Sequence, residues 1–336
     1  MKFASLKSNS PDGQLHLVSR DLNKAYCLSH ISPSLQHAIE HWHKLLPEFE
    51  ELSQKLNQGS LAHSIPFDVK NVNSPLPRAY QWADGSAYLH HVRLVRKARG
   101  AEMPEQFLTD PLMYQGGSDQ FLGPCDPIEV QRIEDGVDFE AEIAVITDKV
   151  MMGSSPALCS QKILLFMLVN DVTLRELIPL ELAKGFGFFH SKPSSSFSPV
   201  AITPDELGDA WDGQRIHLPL FTELNSKPFG HPNAGIGMHF SFPELIAHAA
   251  KTRTLSAGTI VGSGTVSNDD PNVGSSCIVE KRMLEIIAQG KAHTPYMNFG
   301  DDVKIEMLDK QGNSLFGAIE QKVVHYKSEF NHEHSL

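Results

Sequence analysis

Cysteine is scarce. Cys27, Cys125, Cys159 and Cys277 are the four thiols in 336 residues, they lie far apart, and no CxxC pair occurs. That excludes zinc-ribbon and dithiol redox motifs and predicts reduced thiols in a cytoplasmic protein. Long apolar runs are also missing. None approaches the roughly 20 residues needed to span a bilayer, so no membrane association is expected. The opening Met1-Lys-Phe-Ala-Ser-Leu-Lys7 gives way at once to polar residues, which leaves no signal-peptide core. Positive charge is in deficit, with a formal net charge of -11, which argues against nucleic acid as a partner. No internal repeat or low-complexity segment is present, which removes solenoids and disordered arrays. What remains is ordinary globular composition, 41% hydrophobic and 21% charged, on a chain long enough for two domains.

The pattern divides near residue 76. Up to that point, strand-like pieces (residues 1–6, 16–18 and 25–28) are separated by turn residues such as Asp12-Gly13. Ile39, Trp42, Leu45, Leu46 and Phe49 then recur at helical spacing, with Pro47 expected to kink or restart the helix. The proline-punctuated stretch from Pro66 to Pro77 reads as a connector. A small N-terminal domain is therefore expected over 1–76 and a larger domain over 77–328. Residues 329–336 read as a frayed tail, with no metal role expected for His332-Glu-His334. The larger domain reads as a mixed, β-rich α+β unit. Helices are expected over 160–168 and 242–251. Strands are expected over 140–146, 199–203, 217–224, 259–262 and 302–308, followed by a hairpin from Asp309-Lys-Gln-Gly312 into 315–326.

The segment Gly136-Val-Asp-Phe-Glu140-Ala-Glu142-Ile-Ala-Val-Ile146 carries the most chemical information. Alternation along a strand puts Glu140 and Glu142 on one face, against Phe139, Ala141 and Ile143 on the other. Two like charges side by side repel, and burying either unpaired costs several kcal/mol. A cation between them relieves both penalties. Asp171 ends the apolar run that begins at Leu164, and it adds a third hard oxygen ligand. Such ligands suit Mg2+, Ca2+ or Mn2+.

Further residues join them in a fixed order. Asp84 precedes His91 by seven positions in a loop-like stretch, with His90 as an alternative base. Arg175 follows Asp171, and Lys192 precedes a strand. Tyr114 lies in Leu112-Met-Tyr-Gln-Gly116. Gly258-Thr-Ile-Val-Gly-Ser-Gly-Thr265-Val-Ser-Asn268 is a strand running into a glycine-rich turn, and Glu280 follows it. Order and spacing together resemble the fumarylacetoacetate hydrolase family from about Tyr80 to Tyr326. The resemblance implies a fumarylacetoacetase-like C-terminal β-roll and, from the extra first segment, a small β-barrel-like N-terminal domain. It implies Asp84, Glu140, Glu142 and Asp171 as metal ligands and His91 with Glu280 as base and partner. Glu285 and Asp269 remain alternatives for that partner. Arg175 and Lys192 fall on substrate-binding and oxyanion positions, and Tyr114 and Thr265 on substrate-contacting ones. Ile178 departs from the pattern, standing where the family's fumarylacetoacetases carry a glutamine.

The activity so implied is metal-dependent hydrolysis of a C–C bond in a β-diketo acid. 4-Fumarylacetoacetate is the first candidate, giving fumarate and acetoacetate, the last step of tyrosine and phenylalanine breakdown. The alternatives are an acylpyruvate or fumarylpyruvate hydrolase, an oxaloacetate-type decarboxylase, and a catalytically silent dicarboxylate-binding protein. The resemblance also implies a homodimer.

Overall fold

In the computed structural model, which describes residues 1–98 and 102–327, the chain begins with three short strands. They are β1 (Lys2–Leu6), β2 (Gln14–Val18) and β3 (Lys24–Cys27), followed by helices α1 (Leu35–Glu40) and α2 (Trp42–Asn57) and strand β4 (Ile65–Pro66). Next come β5 (Trp82–Gly85), α3 (Leu89–Ala98), β6 (Met113–Gly116), β7 (Ile128–Val130), β8 (Val137–Asp138) and β9 (Ala141–Thr147). The middle contains α4 (Pro156–Ser160), β10 (Ile163–Asn170), β11 (Thr173–Leu174), α5 (Ile178–Leu182), β12 (Ser196–Phe197) and β13 (Ala201–Ile202). The remainder is β14 (Leu220–Leu224), β15 (Lys227–Gly230), α6 (Phe242–Ala249), β16 (Thr259–Gly262), α7 (Ile278–Gln289), β17 (Asp302–Met307) and β18 (Ile319–His325).

One large sheet organises the molecule, in the order β4-β3-β2-β1-β13-β10-β9-β16-β5-β6, with β12 also on β10. A second sheet runs β15-β14-β17-β18-β7. Two of its three inner strands, β17 and β18, show the alternating burial of a sheet with one wet face. The central pair of the large sheet differs: every residue of β9 and β10 is buried. Alternation sorts their side chains into two cores. Ala141, Ile143 and Val145 join one, and Ala144 and Ile146 the other, which α1 and α2 cover with Leu35, Ile39, Trp42 and Phe49. At roughly 1.5–3 kcal/mol for each large apolar side chain buried, this two-sided packing dominates the stability of the sheet.

Four sequence expectations change here. The first segment does not close into a barrel among the described residues; β1 pairs with β13, so its strands extend the large sheet. Residues 163–168 of the expected helix form β10, because an apolar run buried on both faces has no period to distinguish strand from helix. The helical stretch near Pro47 breaks at His41 instead, and α2 runs through the proline. His91 lies on a helix, α3, rather than in a loop. The other expected strands and the helix over 242–251 occur with their ends moved, shorter for residues 199–203, 217–224, 242–251 and 315–326 and longer for 16–18. Residues 329–336, with His332 and His334, lie outside the described residues. No helix of the described chain is long and apolar enough to cross a membrane.

Candidate active site

The large sheet gathers acids at one end of its neighbouring strands. In the antiparallel β9–β10 pair, Glu142 is opposite Val169, which places the start of β9 beside Asp171, just past the end of β10. β16 links β9 to β5, aligning Gly262 with Ala144 on one side and with Asp84 on the other. β6 then sets Tyr114 opposite Asp84. Close approach requires glycine here: a Cβ on Gly262 would stand 2.2 Å from Asp84 Oδ1. Gly264 turns the chain with φ of 76° and donates its N–H to Asp84 Oδ1 at 3.1 Å.

Carboxylate oxygens of Asp84, Glu142 and Asp171 lie within 4.8 Å of one another, all buried. Glu142 is fully buried, and neither of its oxygens has a hydrogen-bond partner. Burial pushes the Asp84 carboxyl up to about 8, with the charge of Asp171 adding to it. Burial also drives Glu142 well above the usual carboxylate range, reinforced by Asp84 and Asp171. An orphaned carboxylate facing two others is what a hard divalent cation would satisfy, so the residues fit such an ion.

Glu140 stands beside this trio, held by cations. Its oxygens accept from Arg175 Nη2 at 2.5 Å and Lys192 Nζ at 2.6 Å. Burial opposes its charge, but these two cations overcome that and hold the carboxyl below its ordinary value. Lys192 also donates to Asp171 Oδ2 at 2.5 Å and to Thr173 Oγ1 at 2.9 Å. Burial alone would lower the Lys192 ammonium; Asp171 and Glu140 reverse this and raise it. Tyr114 donates to both Asp171 oxygens, at 2.9 and 2.7 Å, and burial together with Asp171 raises its phenol well above normal.

On the facing side, His91 Nδ1 lies 3.1 Å from Glu280 Oε2, which leaves Nε2 for another partner. The alternatives are engaged elsewhere. His90 meets Ser267 Oγ at 2.8 Å and Asp269 at 3.4 Å. Glu285 accepts from the backbone of His293 and Thr294. His91, Asp84, Glu140, Glu142, Arg175, Lys192, Tyr114 and Thr265 all line one cavity of about 550 Å³. Ile178, Leu182, Phe188, Val279 and Met283 form its apolar wall, so Ile178 brings no hydrogen-bond donor to it. A larger cavity, about 750 Å³, opens between the N-terminal strands and residues 309–315. Two of its cations are already engaged, Arg20 with Glu206 at 2.9 Å and Lys2 with Leu315 O at 2.5 Å.

Sequence reasoning missed Asp138. It is fully buried, accepts from Ile278 N at 2.7 Å and Val279 N at 2.9 Å, and pairs with Arg175 Nε at 2.8 Å. One carboxylate thus ties the N-terminus of α7, which carries Glu280, to the guanidinium that holds Glu140. The signal was available, since Asp138 shares the alternation of Glu140 and Glu142. Ser195, which donates to Asp171 Oδ1 at 2.8 Å, and Glu181, which binds the backbone of Phe189, His190 and Ser191, had no local signature.

Residues 81–324 match the family model for the fumarylacetoacetate (FAA) hydrolase C-terminal region, and residues 1–78 match fumarylacetoacetase N-terminal domain 2. The chain belongs to the fumarylacetoacetate hydrolase family. Among the curated proteins it resembles in this family is oxaloacetate tautomerase FAHD1, mitochondrial, from Bos taurus, 26% identical over 210 residues (59% of this chain, 86% of that protein). The fold matches a putative HpcE protein from Mycobacterium smegmatis, with a TM-score of 0.69 at 20% identity, covering 97% of this chain and all of the other. It also matches maleylpyruvate hydrolase from Sphingobium sp. SYK-6 in complex with manganese (II) ion and pyruvate, TM-score 0.64, 15% identity, with the same coverage. Fumarylacetoacetate hydrolase-family proteins thus include hydrolases and a tautomerase on this architecture.

Proposed function

We propose that the protein is a metal-dependent hydrolase that cleaves a C–C bond in a β-diketo acid. The observation that carries this reading is the His91–Glu280 pair facing the buried carboxylates across one cavity. Asp84, Glu142 and Asp171 would hold Mg2+, Mn2+ or Ca2+, with Glu140 adjoining, and such a cation polarises a chelated carbonyl. Glu280 orients His91 by accepting from Nδ1–H, so Nε2 is free to take a proton from water. Glu280 then stabilises the imidazolium. Lys192 and Arg175 add positive charge where an oxyanion or enolate would form. Tyr114 and Thr265 line the volume open to the substrate.

Fumarylacetoacetate is the first substrate to test. The experiment follows its ultraviolet absorbance with purified protein, with added magnesium and with chelator. Fast, chelator-sensitive loss is expected; no loss with magnesium present would remove this substrate. A second reading, hydrolysis of an acylpyruvate with an apolar tail, is favoured by the apolar wall at Ile178, Leu182 and Phe188, which offers no donor to a distal polar group. Parallel turnover on the two classes separates them. The small-molecule substrate belongs to this reading, and a homodimer is proposed with it from the family resemblance. Phe186 and Phe189, exposed at 100% and 79% next to the cavity segment, are apolar surface available to a second copy.

A further inference from the structure

Cys277 immediately precedes α7 and Glu280 lies in its first turn, three residues on, so both face the same side. α3 packs against α7 and brings His91 to them. His91 Nδ1 is 3.1 Å from Glu280 Oε2 and 4.0 Å from Cys277 Sγ. One donor atom from each residue lies within 4.8 Å of the others. Cys277 and Glu280 are buried, and His91 keeps an edge on the cavity.

This donor set differs in kind from the carboxylate trio. Nitrogen, sulfur and oxygen together suit a borderline-soft cation, whereas three carboxylates suit a hard one. Tetrahedral zinc, with bonds of about 2.0 Å to nitrogen, 2.1 Å to oxygen and 2.3 Å to sulfur, sets neighbouring donors roughly 3.4–3.6 Å apart. The observed 3.1 and 4.0 Å bracket that spacing. Hydrolysis as proposed gives the Cys277 thiol no task.

We propose that His91, Cys277 and Glu280 form a second cation site, selective for Zn2+ or Cd2+ over Mg2+, whose occupancy blocks the proton-accepting role of His91. The blocking clause rests on the proposed reaction; the site itself does not. On binding, the thiol proton leaves to buffer, and thiolate plus carboxylate balance the ion's two charges. The imidazole binds through Nδ1, so its proton moves to Nε2 and that atom can no longer accept one.

The test uses full-length, reduced, magnesium-loaded protein titrated with cadmium chloride, read by the thiolate-to-cadmium charge-transfer absorbance. One equivalent of signal should disappear in Cys277→Ser and persist in Cys159→Ser. Cadmium affinity should fall in Cys277→Ser by at least the roughly 10–100-fold that loss of an outer-shell partner costs. Excess magnesium should not displace the ion. A signal unchanged in Cys277→Ser, or displaced by magnesium, overturns the proposal. If Cys277→Ser does not fold, a wild-type crystal soaked in zinc decides by anomalous scattering. A peak among His91, Cys277 and Glu280 supports the site, and a peak only among Asp84, Glu142 and Asp171 overturns it. Neither readout involves turnover, so failure here is distinguishable from failure of the hydrolase reading.

Discussion

His91 and Glu280 meet at 3.1 Å across 189 residues of chain, each from a different helix, with Glu280 almost fully buried behind the imidazole. His91→Ala should lower turnover of the accepted substrate by about 10²–10⁴-fold, the usual contribution of a positioned base. Magnesium affinity, measured by calorimetry, should be nearly unchanged. Substantial residual activity would move the base elsewhere.

Glu142 makes a stability prediction that needs no substrate. Its folded carboxyl is held above the ordinary value, so above the ordinary carboxylate range the native state binds more protons than the unfolded chain. Stability of metal-free protein must therefore fall as pH rises out of that range. Glu142→Gln should flatten this slope and stabilise chelator-treated protein by ~1 kcal/mol, worth about 2 °C in Tm. It should also abolish the Tm rise that magnesium gives wild type through mass action. A magnesium-dependent rise that survives in the variant would place the ion elsewhere.

Asp138 is predicted to be a positioning residue. Asp138→Asn removes the charge paired with Arg175 and weakens the anchor at the start of α7. Breaking a buried pair costs about 3–5 kcal/mol. Among variants that remain folded, kcat should fall while KM changes little, because Glu280 and Glu140 lose their supports while the apolar lining of the cavity stays in place. A change confined to KM would argue for a direct role in binding.

Glu181 links acidity to the segment that presents Lys192. Its oxygens accept from Phe189 N at 2.9 Å, His190 N at 2.6 Å and Ser191 N at 3.1 Å. Burial would raise this carboxyl, but those donors and the Ser191 hydroxyl outweigh it and hold it at about 2. A depressed folded value means the stabilisation is complete above the unfolded value near 4.5 and is lost as pH falls toward 2. Protection of the 186–192 amides, measured against their intrinsic exchange rates at each pH, should fall over that interval, and Glu181→Gln should show the reduced protection already at neutral pH. Exchange insensitive to both would disconnect Glu181 from the order of this loop.

The residues that bear chemistry were legible in the sequence where local spacing carries the information. Period-two alternation marked Glu140 and Glu142, the end of an apolar run marked Asp171, and a glycine-rich turn marked the stretch around Thr265. The same alternation could have marked Asp138, had a third acid been sought on that face. Strand β10 was not legible, since burial on both faces erases the polar alternation that identifies a strand. No restart occurs at Pro47: α2 runs from Trp42 to Asn57 with the proline inside it, and the break in the helical stretch falls at His41.

By itself the sequence determined the β-rich class, the family, and a set of acids and bases that must share one place if they are to be tolerated. Only the tertiary structure decided who meets whom. It placed Asp84, Glu142 and Asp171 together, gave Glu140 to Arg175 and Lys192, chose His91 over His90 to face Glu280, and set Cys277 beside them. Those choices depend on strand register and on the packing of α3 against α7, and the packing energy that selects them is spread over apolar residues from all parts of the chain, which no local pattern reveals.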